Sequence, residues 1–375
     1  MNLLKSKVIL PPQTIGIIGG GQLGRMMAIE ARYMGYKVAV LDPTPNCPTA
    51  QVADEHIVAA YDDLEAIKEL TNISDVVTYE FENVDLTAAR YIEGENKLPQ
   101  GSYALEVTQN REVEKTVLTD LGLPVAPFEI IKSKAAAESM LNEIPLPAVI
   151  KTCRGGYDGK GQFKIETAND FPGLLEFIQE GETYIIEQWI PFDKEVSVVF
   201  TRSVDGEVTM FPIGENDHKD QILYETRVPA EVNESVYNKA VVATRTLADA
   251  MNIVGTFTIE LFVVNDGIFI NEMAPRPHNS GHYSIEACNV SQFGQHIRAI
   301  CGLGLAEVRL LNPSIMINVL GEDMDKAIRA LKEQPEANVH LYGKSDAKEK
   351  RKMGHVTFIA PEMDAIHKMK EIYEK

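Results

Sequence analysis

Glu260 and Glu272 flank Val264-Asn265-Asp266-Gly267-Ile268, a run with the composition of a hairpin turn. A three-residue loop takes glycine at its last, left-handed position, and Gly267 stands there. Pairing then runs 264 with 268, 262 with 270 and 260 with 272, so the two carboxylates face each other across the strand pair. Like charges opposed in this way repel unless a cation sits between them. Mg²⁺ suits the place, because it accepts a few carboxylate oxygens and completes its shell with water and nucleotide phosphates. Two solvated glutamates are the plainer alternative, but Thr258, Phe262 and Ile270 share that face, so it is not simply polar. Asn271 points to the other face of a regular hairpin and needs a bulge to join them.

A second cluster is cationic. Lys151 ends the strand-like PAVIK, and Arg154-Gly155-Gly156-Tyr157-Asp158-Gly159-Lys160-Gly161-Gln162 follows at once. No GKS or GKT leads into a helix, so this is not a Walker A loop. A glycine loop between two strands can fold over a triphosphate with its amides and Lys160 facing the oxygens. Its alternative is a hairpin tip, though a plain turn needs neither Tyr157 nor Asp158. A third motif, Gly19-x-Gly21-x-x-Gly24, lies between a strand and a helix, with Asp42 ending the next strand. It meets the dinucleotide fingerprint formally. It also fits a ligand-free tight turn or a phosphorylated substrate.

The elements that must hold these residues change character along the chain. TIGIIG, KVAVLD and DVVTYEF are short apolar strands separated by the helical runs 21–35 and 62–72, which implies a parallel sheet wrapped by helices. From 109 onwards the pattern is α+β: a charged helix over 109–122 closed by Gly122, strands PAVIK and YIIEQW, then an antiparallel meander over 194–274 interrupted by a helix at about 230–251. The tail carries strands NVHLYGK and HVTFIA and a helix near 363–373. Three modules are expected, at 1–108, 109–305 (with a lid over about 123–190) and 306–375.

Composition narrows the function classes. The 375 residues carry 36 Lys+Arg against 55 Asp+Glu, a net charge of −19. Such a surface repels nucleic acid at long range, so any anionic substrate must meet a local group of cations. Cys47, Cys153, Cys288 and Cys301 show no CxxC or disulfide framework, as in a reducing cytosol. No apolar run is long enough for a signal peptide or a membrane span, so a cytoplasmic protein is expected, with no nucleic-acid or membrane partner.

Together these features resemble the ATP-grasp superfamily, whose two α+β lobes hold ATP between them, with a Rossmann-like N-terminal domain before them and a small C-terminal domain after. The blocks IGIIGGGQLGRM (15–26), GGYDGKGQ (155–162), ENDHKDQIL (215–223), NEMAPRPHNSGH (271–282) and HLYGK…RKMGH (340–355) are similar to those of the N5-carboxyaminoimidazole ribonucleotide synthetase family, over nearly the whole chain. The resemblance implies a carbon–nitrogen ligase of purine biosynthesis. Such enzymes use ATP to activate bicarbonate as carboxyphosphate, which carboxylates the exocyclic amine of aminoimidazole ribonucleotide.

It further implies that Arg111, Lys151 and Gly156, Tyr157, Asp158, Gly159, Lys160, Gly161 and Gln162 contact ATP phosphates. Glu187, Gln188, Trp189 and Ile190 match the adenine hinge, Glu195 the ribose ligand and His218 a further nucleotide contact. Glu260 and Glu272 match the ligands of two Mg²⁺ ions, with Asn271 beside them. Gly21, Gln22, Leu23, Glu80, Asn279, Lys344, Arg351 and Lys352 match the ribonucleotide site, which assigns the first glycine motif to substrate. Asp158 matches the acid–base residue, partnered by Lys344. His278 and His282 receive no role, and a homodimer is implied. The alternatives are a formate-dependent glycinamide ribonucleotide transformylase, an NAD-dependent dehydrogenase and a non-catalytic nucleotide sensor.

Overall fold

The computed structural model describes residues 8–140, 143, 145–156 and 161–375. Four parallel strands, in the spatial order Glu55–Ile57, Lys37–Leu41, Thr14–Ile18, Val76–Tyr79, form the N-terminal sheet. Their unbroken apolar runs fit burial on both faces. One face packs on helix Gln22–Tyr33 and on the distant helix Gln292–Ile300. The other packs on helices Leu64–Ile73 and Leu86–Gly94, N-capped by Asp63 and Asp85. His296 fastens the distant helix down: Thr78 lies 2.8 Å from its Nε2, and the Thr256 amide donates to its Nδ1 at 3.0 Å.

A small antiparallel sheet follows, in the order Phe128–Ile131, Tyr184–Gln188, Ala148–Thr152, Gln162–Ile165. Lys151 pairs with Gln162, so the second glycine loop closes a hairpin. Helix Arg111–Asp120 leads into this sheet. Asn110 caps it by accepting the Glu112 amide, and Gly122 (φ 68°) ends it in the left-handed conformation.

The large sheet has nine strands. Gly267–Ala274 pairs with Gly255–Val264, then come Lys194–Arg202, Gly214–Lys219, Ile222–Val228, Ser314–Leu320, Lys352–Ile359 and Asn338–Leu341, with Val208–Met210 beside Lys194–Arg202. Helix Glu234–Met251 covers it. Val236, Ala240, Ala243, Leu247 and Met251 recur at helical spacing, and the alanines let the helix approach closely. The strands Gly214–Lys219, Ile222–Val228 and Ser314–Leu320 are additions to the elements read from sequence. Ser314–Leu320, buried throughout, pairs with Ile222–Val228 and so carries the tail's strands into the sheet that bears the glutamates.

The hairpin differs from expectation in an instructive way. Val264 pairs with Gly267, Val263 with Ile268, Phe262 with Phe269 and Leu261 with Ile270. The turn therefore has two residues, and Asn265 (φ 50°), not Gly267, takes the left-handed conformation. One residue further on the register shifts, and Glu260 pairs with Glu272 after all. Asn271 is the extra residue of this bulge. The shorter turn and the bulge each move the register by one, and the two displacements cancel.

Candidate active site

A cleft of about 650 Å³ lies between the small and large sheets and the N-terminal glycine turn. One end is apolar, where Val149, Trp189 and Ile190 meet Phe192 and Phe262, stacked at 4.5 Å between centroids and 3° between planes. The remainder is charged. This polarity suits a flat aromatic group carrying an anionic tail.

The charged part is layered. Glu187, on the small sheet, forms ion pairs with Lys151 at 2.7 Å and Lys115 at 2.8 Å. Burial would raise the Glu187 carboxyl, but Lys151 and Lys115 outweigh it and hold it well below its usual range. Lys151 is lowered by its own burial and by Arg111 and Lys115, with Glu187 opposing. Arg111 reaches Glu272 at 3.3 Å, while its backbone amide donates to the Cys153 carbonyl at 2.9 Å, tying it to the start of the glycine loop.

Glu260 is almost wholly buried. Its carboxyl is pushed well above the usual range by that burial first, then by Glu272 and Glu195. His278 lies 3.5 Å away, but burial and the nearby Arg276 and Lys352 hold the imidazole well below its ordinary value and so neutral. Glu195, 3.3 Å from His218, is pushed up to about 7 by burial and by Glu272. Three carboxylates, those of Glu195, Glu260 and Glu272, thus converge, and their mutual repulsion adds to burial in raising Glu195 and Glu260. Among the described residues no group of three or more His, Cys, Asp or Glu is arranged to hold a metal alone. Mg²⁺ does not need one, because one or two carboxylates suffice when phosphates and water complete the shell. The crowded, desolvated oxygen donors fit that ion.

The first glycine motif has a different solution. Both Glu80 oxygens accept backbone amides at the start of helix Gln22–Tyr33, one from Gly21 and one from Gly24 at 2.7 Å. Asp42 accepts from the Gly20 amide at 2.7 Å, the Thr44 amide at 2.8 Å and the Tyr61 hydroxyl at 2.5 Å. A Cβ at Gly19 would stand 2.3 Å from Glu80 Cγ, and one at Gly20 would stand 2.2 Å from Cys47 Sγ. The glycines therefore make room for the protein's own side chains. The helix terminus that a dinucleotide pyrophosphate needs already holds a carboxylate, and the acid that would grip its ribose is fully engaged.

Gln22, Leu23, Glu80, Asn279 and Lys352 line the same cleft. Asn279 is fixed by a reciprocal amide pair with Asn318, at 2.9 and 3.0 Å, from the tail strand. Lys344 donates to the Lys352 carbonyl at 2.7 Å and Arg351 to the Asp346 carbonyl at 3.0 Å; neither lines the cleft. Gly156, Gly161 and Gln162 border it, whereas Tyr157, Asp158, Gly159 and Lys160 lie outside the described residues. His282 is fully buried among Phe293, Tyr342 and His355, with burial lowering it to about 3, so it braces the loop.

Sequence reasoning missed Lys115, Glu114 and Arg276. Arg276 is a buried cation in the cleft, 2.7 Å from Glu82. Lys115 and Glu114 lie within the charged helix read over 109–122 and received no role there. Their signal was position: both fall on the helix face bearing Leu118.

Comparison with known proteins agrees with this geometry. An ATP-grasp domain model matches residues 116–293, a ribonucleotide synthetase preATP-grasp domain model residues 12–109, and a phosphoribosylaminoimidazole carboxylase C-terminal domain model residues 314–369. The N5-carboxyaminoimidazole ribonucleotide synthase of Bacillus subtilis (strain 168) is 48% identical over 361 residues, covering 95% of this chain and 94% of that one. The chain belongs to the N5-carboxyaminoimidazole ribonucleotide synthase family. Within that family, the Staphylococcus aureus synthetase complexed with ADP superposes with a TM-score of 0.94 at 40% identity, covering 100% of both chains. The Aspergillus clavatus synthase in complex with ADP and 5-aminoimidazole ribonucleotide gives 0.88 at 32%, covering 96% of this chain and 97% of that one.

Proposed function

We propose that this chain is an N5-carboxyaminoimidazole ribonucleotide synthase. It couples ATP cleavage to carboxylation of 5-aminoimidazole ribonucleotide by bicarbonate, giving ADP and phosphate. The observation that carries this reading is one cleft joining an apolar slot, fixed cations, opposed glutamates and the Glu80-filled glycine turn.

Adenine occupies the apolar slot along Glu187–Ile190, Glu195 and His218 face the ribose side, and Arg111, Lys151 and the loop 156–162 hold the phosphates. Glu260 and Glu272, with Asn271 beside them, would hold Mg²⁺, which when bound neutralises phosphate charge and offsets the repulsion between the two carboxylates. Phosphoryl transfer to bicarbonate spreads negative charge over several oxygens, and Arg111 and Lys151 are preorganised to offset it. Carboxyphosphate hydrolyses in water, so burial of the cleft protects it. Gly21, Gln22, Leu23, Glu80 and Asn279 position the aminoimidazole ribonucleotide, and Lys344, Arg351 and Lys352 draw its phosphate. Asp158 takes the amine proton, with Lys344 as its partner. A cytoplasmic homodimer, with domain borders near 108 and 305, completes the reading.

The test is a coupled ADP assay. ADP release that requires both aminoimidazole ribonucleotide and bicarbonate supports the proposal, and dependence on formate with glycinamide ribonucleotide overturns it. Asp158→Asn is expected to bind ATP normally yet form no carboxylated product; full product formation removes Asp158 from the mechanism.

A further inference from the structure

Lys115 is a lysine with a side chain only 1% exposed, on a helix that belongs to neither sheet. Its ammonium donates to the Asn271 carbonyl at 2.8 Å and the Ile270 carbonyl at 3.2 Å, and it forms an ion pair with Glu187 Oε1 at 2.8 Å. Glu187 is on the small sheet and shares its carboxylate with Lys151. The two carbonyls are the backbone oxygens at the bulge that returns Glu272 to Glu260. The neighbouring Glu114 secures the far side of the same bulge by accepting the Met273 amide at 2.7 Å.

We propose that Lys115 is a positioning residue that sets the nucleotide–metal geometry from behind, clamping the Asn271 bulge of the large sheet against Glu187, and through it Lys151, on the small one. The inference rests on the nucleotide–Mg²⁺ reading of the cleft. A bulge leaves one residue out of the ladder, so its carbonyls need partners elsewhere. An ammonium group supplies them and also balances the buried Glu187. Without Lys115 the hairpin can regularise, which turns Asn271 or Glu272 off the cleft face, because a one-residue slip reverses side-chain direction. Lys151 would then be left alone with Glu187 and drawn towards it.

The test uses binding, which does not depend on the carboxylation reaction. Trp189 is the chain's single tryptophan and lines the cleft, so its fluorescence reports nucleotide. ADP is titrated into wild type and Lys115→Met, with Mg²⁺ and with EDTA, alongside a melting curve and the ADP-release assay. The expected result is a folded Lys115→Met whose Mg²⁺-dependent gain in ADP affinity falls by about tenfold or more, with a smaller change in EDTA. A folded variant that keeps the wild-type Mg²⁺ gain overturns the proposal. Should Lys115→Met not fold, Lys115→Arg replaces it. A planar guanidinium does not reproduce an ammonium's diverging contacts with two carbonyls and a carboxylate, so a loss of about fivefold in the same gain is expected, and wild-type behaviour overturns the proposal. A wild-type protein that shows the Mg²⁺ gain but no bicarbonate-dependent turnover would refute the proposed function and leave the Lys115 inference standing; one that shows no Mg²⁺ gain refutes both.

Discussion

Glu80 and Glu260 are both glutamates drawn deep into the protein, and burial raises both carboxyls above their usual range. They differ in what meets the charge. Glu80 is held by the Gly21 and Gly24 amides at a helix N-terminus, where dipoles favour an anion. Glu260 faces two further carboxylates and a neutral imidazole. The first arrangement is complete within the chain and serves as a rigid wall. The second leaves carboxylates facing one another, the arrangement that the proposed Mg²⁺ would complete.

The largest effect should come from the open arrangement. Glu272→Gln removes an anion from the cation site, and turnover with ATP should fall by about 10²-fold or more while the melting temperature changes little. Normal turnover by this variant would end the metal reading.

Glu80→Gln should damage the closed arrangement. An amide cannot accept from both backbone N–H groups, so one is left facing an NH₂, at a stability cost of about 1–3 kcal/mol. Because the same residue borders the proposed ribonucleotide site, KM for aminoimidazole ribonucleotide should rise about tenfold or more with KM for ATP nearly unchanged. Equal rises in both would show that the two regions are not separable.

A smaller effect sharpens the contrast. Carboxyls raised on folding hold protons that the unfolded chain has released. Stability of the metal-free protein should therefore fall as pH rises from about 4.5 through the raised values, which for Glu195 and Glu114 means about 7. Glu260→Gln should flatten this slope and raise the metal-free melting temperature at pH 8 by about 2–4 °C, while abolishing activity. An unchanged pH profile would show that the carboxylate cluster carries no strain.

The smallest concerns the glycines. Gly20→Ala places a methyl against Cys47 and Asp42, and should cost about 1–3 kcal/mol without conferring or removing NAD affinity. NAD binding by the wild type would reopen the dinucleotide interpretation.

Much of this was legible in the sequence because it rests on local rules. Strand–helix alternation gave the parallel sheet and Gly122 marked the end of its helix, whereas the opposition of Glu260 and Glu272 was reached from a three-residue turn that the chain does not form. The route to that opposition was not legible. A two-residue turn and a bulge replaced a three-residue loop, and the bulge is held by Lys115 and Glu114 from a helix some 155 residues away in sequence. Contacts of that separation leave no periodic trace. Lys115 itself received no role because burial of a lysine depends on partners brought by tertiary structure. Ser314–Leu320 was missed because an apolar run between a proline and a polar turn says little about which sheet it will join.

Because Ser314–Leu320 bonds the tail's strands onto Ile222–Val228, the glutamates of the hairpin and Lys352 belong to one hydrogen-bonded lattice. On the proposed function, the spacing between the nucleotide's terminal phosphate and the acceptor's own phosphate would be measured out in strand widths rather than by a joint that could swing. On that reading the small antiparallel sheet, which carries Lys151 and Glu187, would be the jaw and the nine-stranded lattice the anvil.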